Sequence, residues 1–79
     1  TKSNTAEARQ CYATLVEEQY LKPLINDEVI KDGCYYKPDP EYHGDSAVYT
    51  PAIDEAYFVA DITPVDSMER IYQTIGVNF

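Results

Sequence analysis

The chain has 79 residues, 14 acidic against 6 basic, for a formal charge of −8, and 44% are hydrophobic, including eight tyrosines and two phenylalanines. That balance excludes a direct nucleic-acid binder, whose affinity comes from Lys and Arg on phosphates, and it disfavours docking on an anionic membrane. The aromatic content is too high for wholesale disorder, and the length allows a single small domain, 1–79, that buries only about 60% of the surface its unfolded form exposes.

No apolar run approaches the roughly 18 residues that span a bilayer, and the first residues do not resemble a signal segment. Thr1 is expected to follow removal of an initiator Met or a leader, with the cytoplasm slightly favoured as compartment.

Asn4-Thr5-Ala6-Glu7 has the form of a helix start, with Glu three residues after the capping residue. Ala8, Cys11, Tyr12, Leu15 and Val16 then recur at three and four, which predicts an amphipathic first helix. Pro23 is expected to end or kink that helix near Lys22. Leu21, Leu24, Ile25 and Ile30 carry the apolar trend through a short second turn, and Asp32-Gly33 signals a reversal. Cys34-Tyr35-Tyr36 is a short strand, with one tyrosine of the pair outside. Ala47-Val48-Tyr49-Thr50 is a second, and Ala56–Ile62 is the strongest strand in the chain. Alternation in that strand turns Ala56, Phe58, Ala60 and Ile62 to the core and leaves Tyr57, Val59 and Asp61 on the other face.

Asp66-Ser67-Met68-Glu69 reads as a second capping box, and Met68, Ile71, Tyr72 and Ile75 as the stripe of a last helix capped by Gly76. Val77-Asn78-Phe79 adds a short strand or plugs the core. The expected fold is α+β: an N-terminal helix, a small antiparallel sheet of about three strands and a C-terminal helix. Leu15, Phe58, Ile62, Ile71 and Ile75 should converge in its core.

Cys11 and Cys34 lie 23 residues apart, and the single histidine, His43, is nine residues beyond the second. No zinc-ligand spacing accommodates that set. Two buried reduced thiols are favoured over a disulfide, since nothing in the sequence points to secretion. Residues 39–45, Asp39-x-Glu41-x-His43-Gly44-Asp45, begin like a calcium loop. The twelfth position, which needs a bidentate Glu, is Thr50, and Pro40 intrudes. One histidine with Asp39, Glu41 or Asp45 is thin provision for a transition metal, so no metal and no cofactor are expected. His43 could pair with Ser46 or Cys34 as a nucleophile, yet no nucleophile elbow or phosphate cradle accompanies them, and no catalytic residue is assigned. His43 is read as dispensable for folding.

Charge distribution carries the functional expectation. Between Lys37 and Arg70 there is no base, while Asp39, Glu41, Asp45, Asp54, Glu55, Asp61, Asp66 and Glu69 fall there. Tyr42, Tyr49 and Tyr57 stand among them, and tyrosine is enriched at protein interfaces. The pattern points to a non-enzymatic, acidic protein-binding module, a small inhibitor or regulator or an accessory subunit. It would present Asp39, Glu41, Tyr42, Asp45, Tyr49, Tyr57 and Asp61 to a basic protein surface, with nucleic-acid mimicry as one variant. The alternative is a small ligand- or metal-binding domain around His43, enzymatic only as an oligomer. Whether copies of the chain self-associate is left open.

Overall fold

A computed structural model describes residues 4–66 and 69–79. The chain forms helix α1 (Ala6–Val16), a π-helical segment (Glu17–Leu21), α2 (Lys22–Asn26), strand β1 (Tyr35–Pro38), a one-turn helix α3 (Pro40–His43), β2 (Glu55–Ile62) and β3 (Ile71–Asn78). The strands make one antiparallel sheet in the order β1-β2-β3. None of the described helices is long and apolar enough to cross a membrane.

Thr5, rather than Asn4, caps α1, its hydroxyl accepting from Ala8 N at 3.1 Å. Asn4 instead holds the helix to the sheet: its Nδ2 donates to the carbonyls of Ile53 and Glu55, at 3.2 and 2.7 Å. Pro23 does not end the helix. A proline ring collides with the carbonyl four residues back, and here the preceding turn widens to π geometry, with Lys22 N–H reaching Glu17 O. A π-bulge is one of the recognised ways for a helix to absorb such an obstruction.

The core is Ala13, Leu21, Ile30, Tyr36, Ala56, Phe58 and Ala60, flanked by Tyr12, Val16, Ile25, Cys34, Ile62, Val77 and Phe79. Phe58 is fully buried, stacked on Tyr36 at 5.2 Å and tilted against Tyr12 at 5.1 Å. The inward alternation of β2 is as the sequence indicates, and of the first tyrosine pair Tyr36 is buried while Tyr35 faces outward. Leu15 is a correction, 52% exposed. The inward face of α1 runs through Arg9, Tyr12, Ala13, Val16 and Glu17, rotated from the apolar stripe because two of its positions hold charged residues with hydrogen-bonding work. Arg9 donates to Asn4 O and Oδ1, and Glu17 accepts from Tyr36 N at 3.1 Å. That rotation leaves Cys11 exposed. Cys34 is half-buried, both thiols are free, and Cys34 Sγ accepts from Thr63 N at 3.3 Å.

Two elements differ in kind. The expected C-terminal helix is the strand β3. Ile71, Thr74, Ile75 and Val77 are β-branched, and Ile71, Gln73, Ile75 and Val77 alternate with Tyr72, Thr74 and Gly76. Pairing along the whole of β2 selects that period over the helical one. Met68 and Ser67 of the expected stripe and capping box lie outside the described residues. Ile71 and Ile75 are therefore not core residues but stand at the sheet margin, 49% and 36% exposed. Residues 47–50, expected as a strand, are irregular. Val48 N and Tyr49 N both donate to Glu41 O, at 2.9 and 3.1 Å, which folds the segment back onto α3 rather than into the sheet.

Candidate functional site

The sheet has one face under α1 and one on which only the one-turn helix α3 packs, at one end. The second carries Tyr35 and Lys37 from β1, Glu55, Tyr57, Val59 and Asp61 from β2, and Tyr72, Thr74 and Gly76 from β3, as register and alternation require. At its α3 end the loop from 44 to 54 lies against it, and there three predicted contact residues meet. Tyr42 stacks on Tyr57 with centroids 4.0 Å apart and on Tyr49 at 4.8 Å, with interplanar angles of 21° and 26°. Tyr42 and Tyr57 are half-buried, and Tyr49, the outer ring, is 54% exposed.

What holds the stack is a junction built by Asp39 and His43. All of Asp39's polar groups are committed. Its N–H donates to Tyr57 O at 2.9 Å, its carbonyl accepts from Tyr42 N and His43 N, and its carboxylate caps α3 through Glu41 N at 2.9 Å. The second carboxylate oxygen accepts from Thr74 Oγ1 at 3.2 Å, which ties α3 to β3 across β2. In an unbroken ladder the Asp39 carbonyl would take the N–H of Tyr57. Because α3 has claimed that carbonyl, the imidazole of His43 stands in for it, with Nε2 accepting from Tyr57 N at 2.9 Å. An accepting Nε2 carries no proton, so His43 is neutral in this arrangement. Its pKa lies below the ordinary value, through burial first and the Arg9 guanidinium second, against a smaller opposite pull from Asp39.

Tyr57 is fixed on its other side by Gly76. A Cβ at that position would stand 3.0 Å from Tyr57 Cε1, so the ring rests on bare backbone. The Tyr57 hydroxyl donates to Glu55 Oε1 at 3.2 Å, and its pKa is raised by burial, then by that carboxylate. Glu55 Oε1 also accepts from Ala52 N at 3.1 Å, which closes the turn into β2.

The predicted carboxylates divide. Glu41 and Asp45 are exposed in α3 and the loop after it. Asp39 is not a surface carboxylate, being 3% exposed and serving as the cap just described. Asp61 lies on the same sheet face as Tyr57 but four residues along β2, about 13 Å away, and it is already paired. Arg70 Nε and Nη2 donate to its two oxygens at 2.8 Å each, while the guanidinium lies 4.6 Å from the centre of the Tyr72 ring. The Asp61 carboxyl is held below its ordinary range, by the Arg70 hydrogen bonds above all. The structure thus brings together Tyr42, Tyr49 and Tyr57, sets Glu41 and Asp45 beside them, and removes Asp39 and Asp61 from the free anionic surface.

Sequence reasoning missed His43 as a support, Glu55 as the partner of Tyr57, and Thr74 and Gly76 as the β3 contribution. The last two were hidden by reading β3 as a helix. His43 is not a free surface ligand, since Nε2 is engaged. Among the described residues no three His, Cys, Asp or Glu side chains gather as a metal site. Cys34 sits by Thr63, at the opposite end of β2 from His43. A shallow depression of about 320 Å³, lined by Gln10, Lys37, Pro38, Asp39, Pro40, His43 and Gly44, opens beside the junction. The chain matches no protein-family model, no curated protein and no solved structure.

Proposed function

We propose that the chain is a non-enzymatic binding module whose contact surface is the Tyr49–Tyr42–Tyr57 stack with the free carboxylates of Glu41 and Asp45, and whose partner is a basic protein surface. One observation supports this most: three tyrosine rings are stacked and braced from below at the open end of the sheet, in a stretch with no Lys or Arg between 38 and 69. A braced aromatic gives contact area at little entropic cost, which is what a binding hot spot requires. Carboxylates around it steer a cationic partner and set the salt dependence of capture. Arg side chains of the partner would find both the ring faces and the carboxylates. Nucleic-acid mimicry needs a row of free carboxylates, and with Asp39 buried and Asp61 held by Arg70 the reading rests on the general basic partner instead.

The test is capture from a lysate of the source cells at low and high salt, with the parent, Tyr49→Ala and the double variant Glu41→Lys/Asp45→Lys as baits. A basic protein retained by the parent at low salt, released at high salt and lost by both variants supports the reading. Equal recovery by all three baits rejects it.

A further inference from the structure

The two edges of the sheet are finished differently. On β1 the outward N–H of Tyr36 is taken by the Glu17 carboxylate, and Pro38 has no N–H to offer. This edge is closed in the ways sheet proteins ordinarily use, with a charge and a proline. β3 has neither. From Ile71 to Phe79 the sequence Ile-Tyr-Gln-Thr-Ile-Gly-Val-Asn-Phe contains no charged residue and no proline. It is the last strand of the sheet, and among the described residues no strand or helix lies along its outer side. Ile71, Tyr72 and Ile75 are 49, 55 and 36% exposed.

The direction of its free hydrogen-bonding groups follows from the ladder. Phe79 N donates to Asp54 O at 2.8 Å, so the groups of Phe79 point to β2. By alternation those of Ile71, Gln73, Ile75 and Val77 do as well, and those of Tyr72, Thr74, Gly76 and Asn78 point outward.

We propose that this edge pairs with the same edge of a second copy of the chain, antiparallel, about a two-fold axis at Ile75, to give a continuous six-stranded sheet. In that register Tyr72 meets Asn78 of the second copy and Thr74 meets Gly76, each pair having both residues' groups directed outward, so all four outward-facing residues of each strand are satisfied. Gln73 meets Val77, Ile71 meets Phe79, and Ile75 meets itself, which joins the apolar margins of the two sheets on the helix side. A second copy is the fitting occupant because of charge. Two chains of −8 repel wherever their acidic surfaces meet, and β3 is where they can approach with no charge opposite a charge. A basic partner finds no carboxylate on this strand to attract it. Because the axis is perpendicular to the sheet, both tyrosine stacks come to the same face, so the dimer presents that surface twice. Two strands of about 26 Å cover less than a standard interface of roughly 1,600 Å², so the association is concentration-dependent and weak to moderate.

Sedimentation of the 79-residue protein from about 1 µM to 1 mM, with Ile75→Lys alongside, tests this. The parent is expected to pass from the 9.0 kDa monomer to twice that mass as concentration rises. Ile75→Lys places two ammonium groups across the axis and should weaken dimerisation at least tenfold while its circular dichroism stays that of the parent. Amide hydrogen exchange of the parent gives a second readout that needs no variant. On dimerisation the amides of Tyr72, Thr74, Gly76 and Asn78 should slow, while those of Gln73, Ile75 and Val77, already bonded to β2, should not change. If Ile75→Lys fails to fold, the exchange pattern decides. A parent that stays monomeric throughout overturns the proposal. So does a dimer that a folded Ile75→Lys leaves intact, or one in which the four outward amides remain fast.

Discussion

The face of the sheet opposite α1 has two ends, and they are made of the same kinds of residue to different effect. At one end Asp61 lies among Tyr35, Tyr72 and Arg70, and Lys37 sits 5.1 Å from the centre of the Tyr35 ring. At the other end Glu41, Asp45 and Glu55 accompany Tyr42, Tyr49 and Tyr57, in a stretch with no Lys or Arg between 38 and 69. The first end is self-satisfied, with its carboxylate bidentate to a guanidinium and its rings covered by cations. The second has its rings braced by backbone, by Gly76 and by His43, so that side chains from elsewhere are left to engage them. Tyrosine beside carboxylate is therefore left open to a partner only where no arginine of the same chain has already answered it.

Both ends stand on one core, and Phe58→Ala should undermine both. Removing the ring that Tyr12, Tyr36 and Phe79 pack against costs about 3–5 kcal/mol, a large part of what a domain this small has. Thermal melting should show the protein largely unfolded at room temperature. A melting point within a few degrees of the parent would mean that the two ends do not share this support.

Gly76→Ala acts on the tyrosine end alone. The new methyl group would press on Tyr57, which cannot retreat because Tyr42 lies 4.0 Å behind it. A net loss of about 1 kcal/mol remains after the entropic gain of replacing glycine. The near-ultraviolet dichroism of the stacked tyrosines should change, whereas the Arg70 end should be untouched.

His43→Ala removes the acceptor of a half-buried N–H that water can partly replace, a loss of about 1 kcal/mol or less. It also has a pH signature. The folded state holds the imidazole neutral, with its pKa below the ordinary 6.5. Below that value the unfolded chain gains a proton that the folded chain resists. The contribution is thus complete above about pH 7 and declines as pH falls through 6.5 toward the folded-state value. Denaturant titrations from pH 5 to 8 should show this slope in the parent and lose it in the variant, His43 being the only histidine. A parent with flat stability over that range would contradict the stand-in role of the imidazole.

Arg70→Ala should have the smallest effect on folding, since the guanidinium is 56% exposed and water can replace it, although the Asp61 side chain it leaves is only 17% exposed, and melting should shift little. Its consequence is electrostatic. Freed of Arg70, the half-buried Asp61 carboxylate adds an uncompensated negative charge to this face, and the association rate with a cationic decapeptide of arginine should rise and grow more salt-sensitive.

Much of the tyrosine end is legible in the sequence, because the base-free stretch and the outward alternation of Tyr57 are properties of the chain in order. The inward set Ala56, Phe58 and Ala60 is legible for the same reason. What could not be read is what depends on pairing. Ile71 and Ile75 satisfy a helical period as well as a strand period, and only β2, eight residues of matching length, decides between them. With β3 taken for a helix, Thr74 and Gly76 had no route to Asp39 and Tyr57, and Arg70 had none to Asp61. Asp39 and Glu41 look alike in a row of carboxylates. The difference is that a proline follows Asp39, so α3 starts there and draws its side chain inward as a cap. The rotation of α1 is of the same kind, because Arg9 and Glu17 occupy inward positions that a hydrophobic stripe cannot announce.

The most direct test of the claim that the tyrosine end is the contact surface is association kinetics of Glu41→Lys/Asp45→Lys and the parent against the captured partner, across a range of salt. The account predicts that the double reversal slows association about tenfold or more at low salt and flattens its salt dependence, with the fold intact by circular dichroism. An unchanged association rate and salt slope in the folded double variant would contradict it, and the loop from 44 to 54 would then be a connection and nothing more.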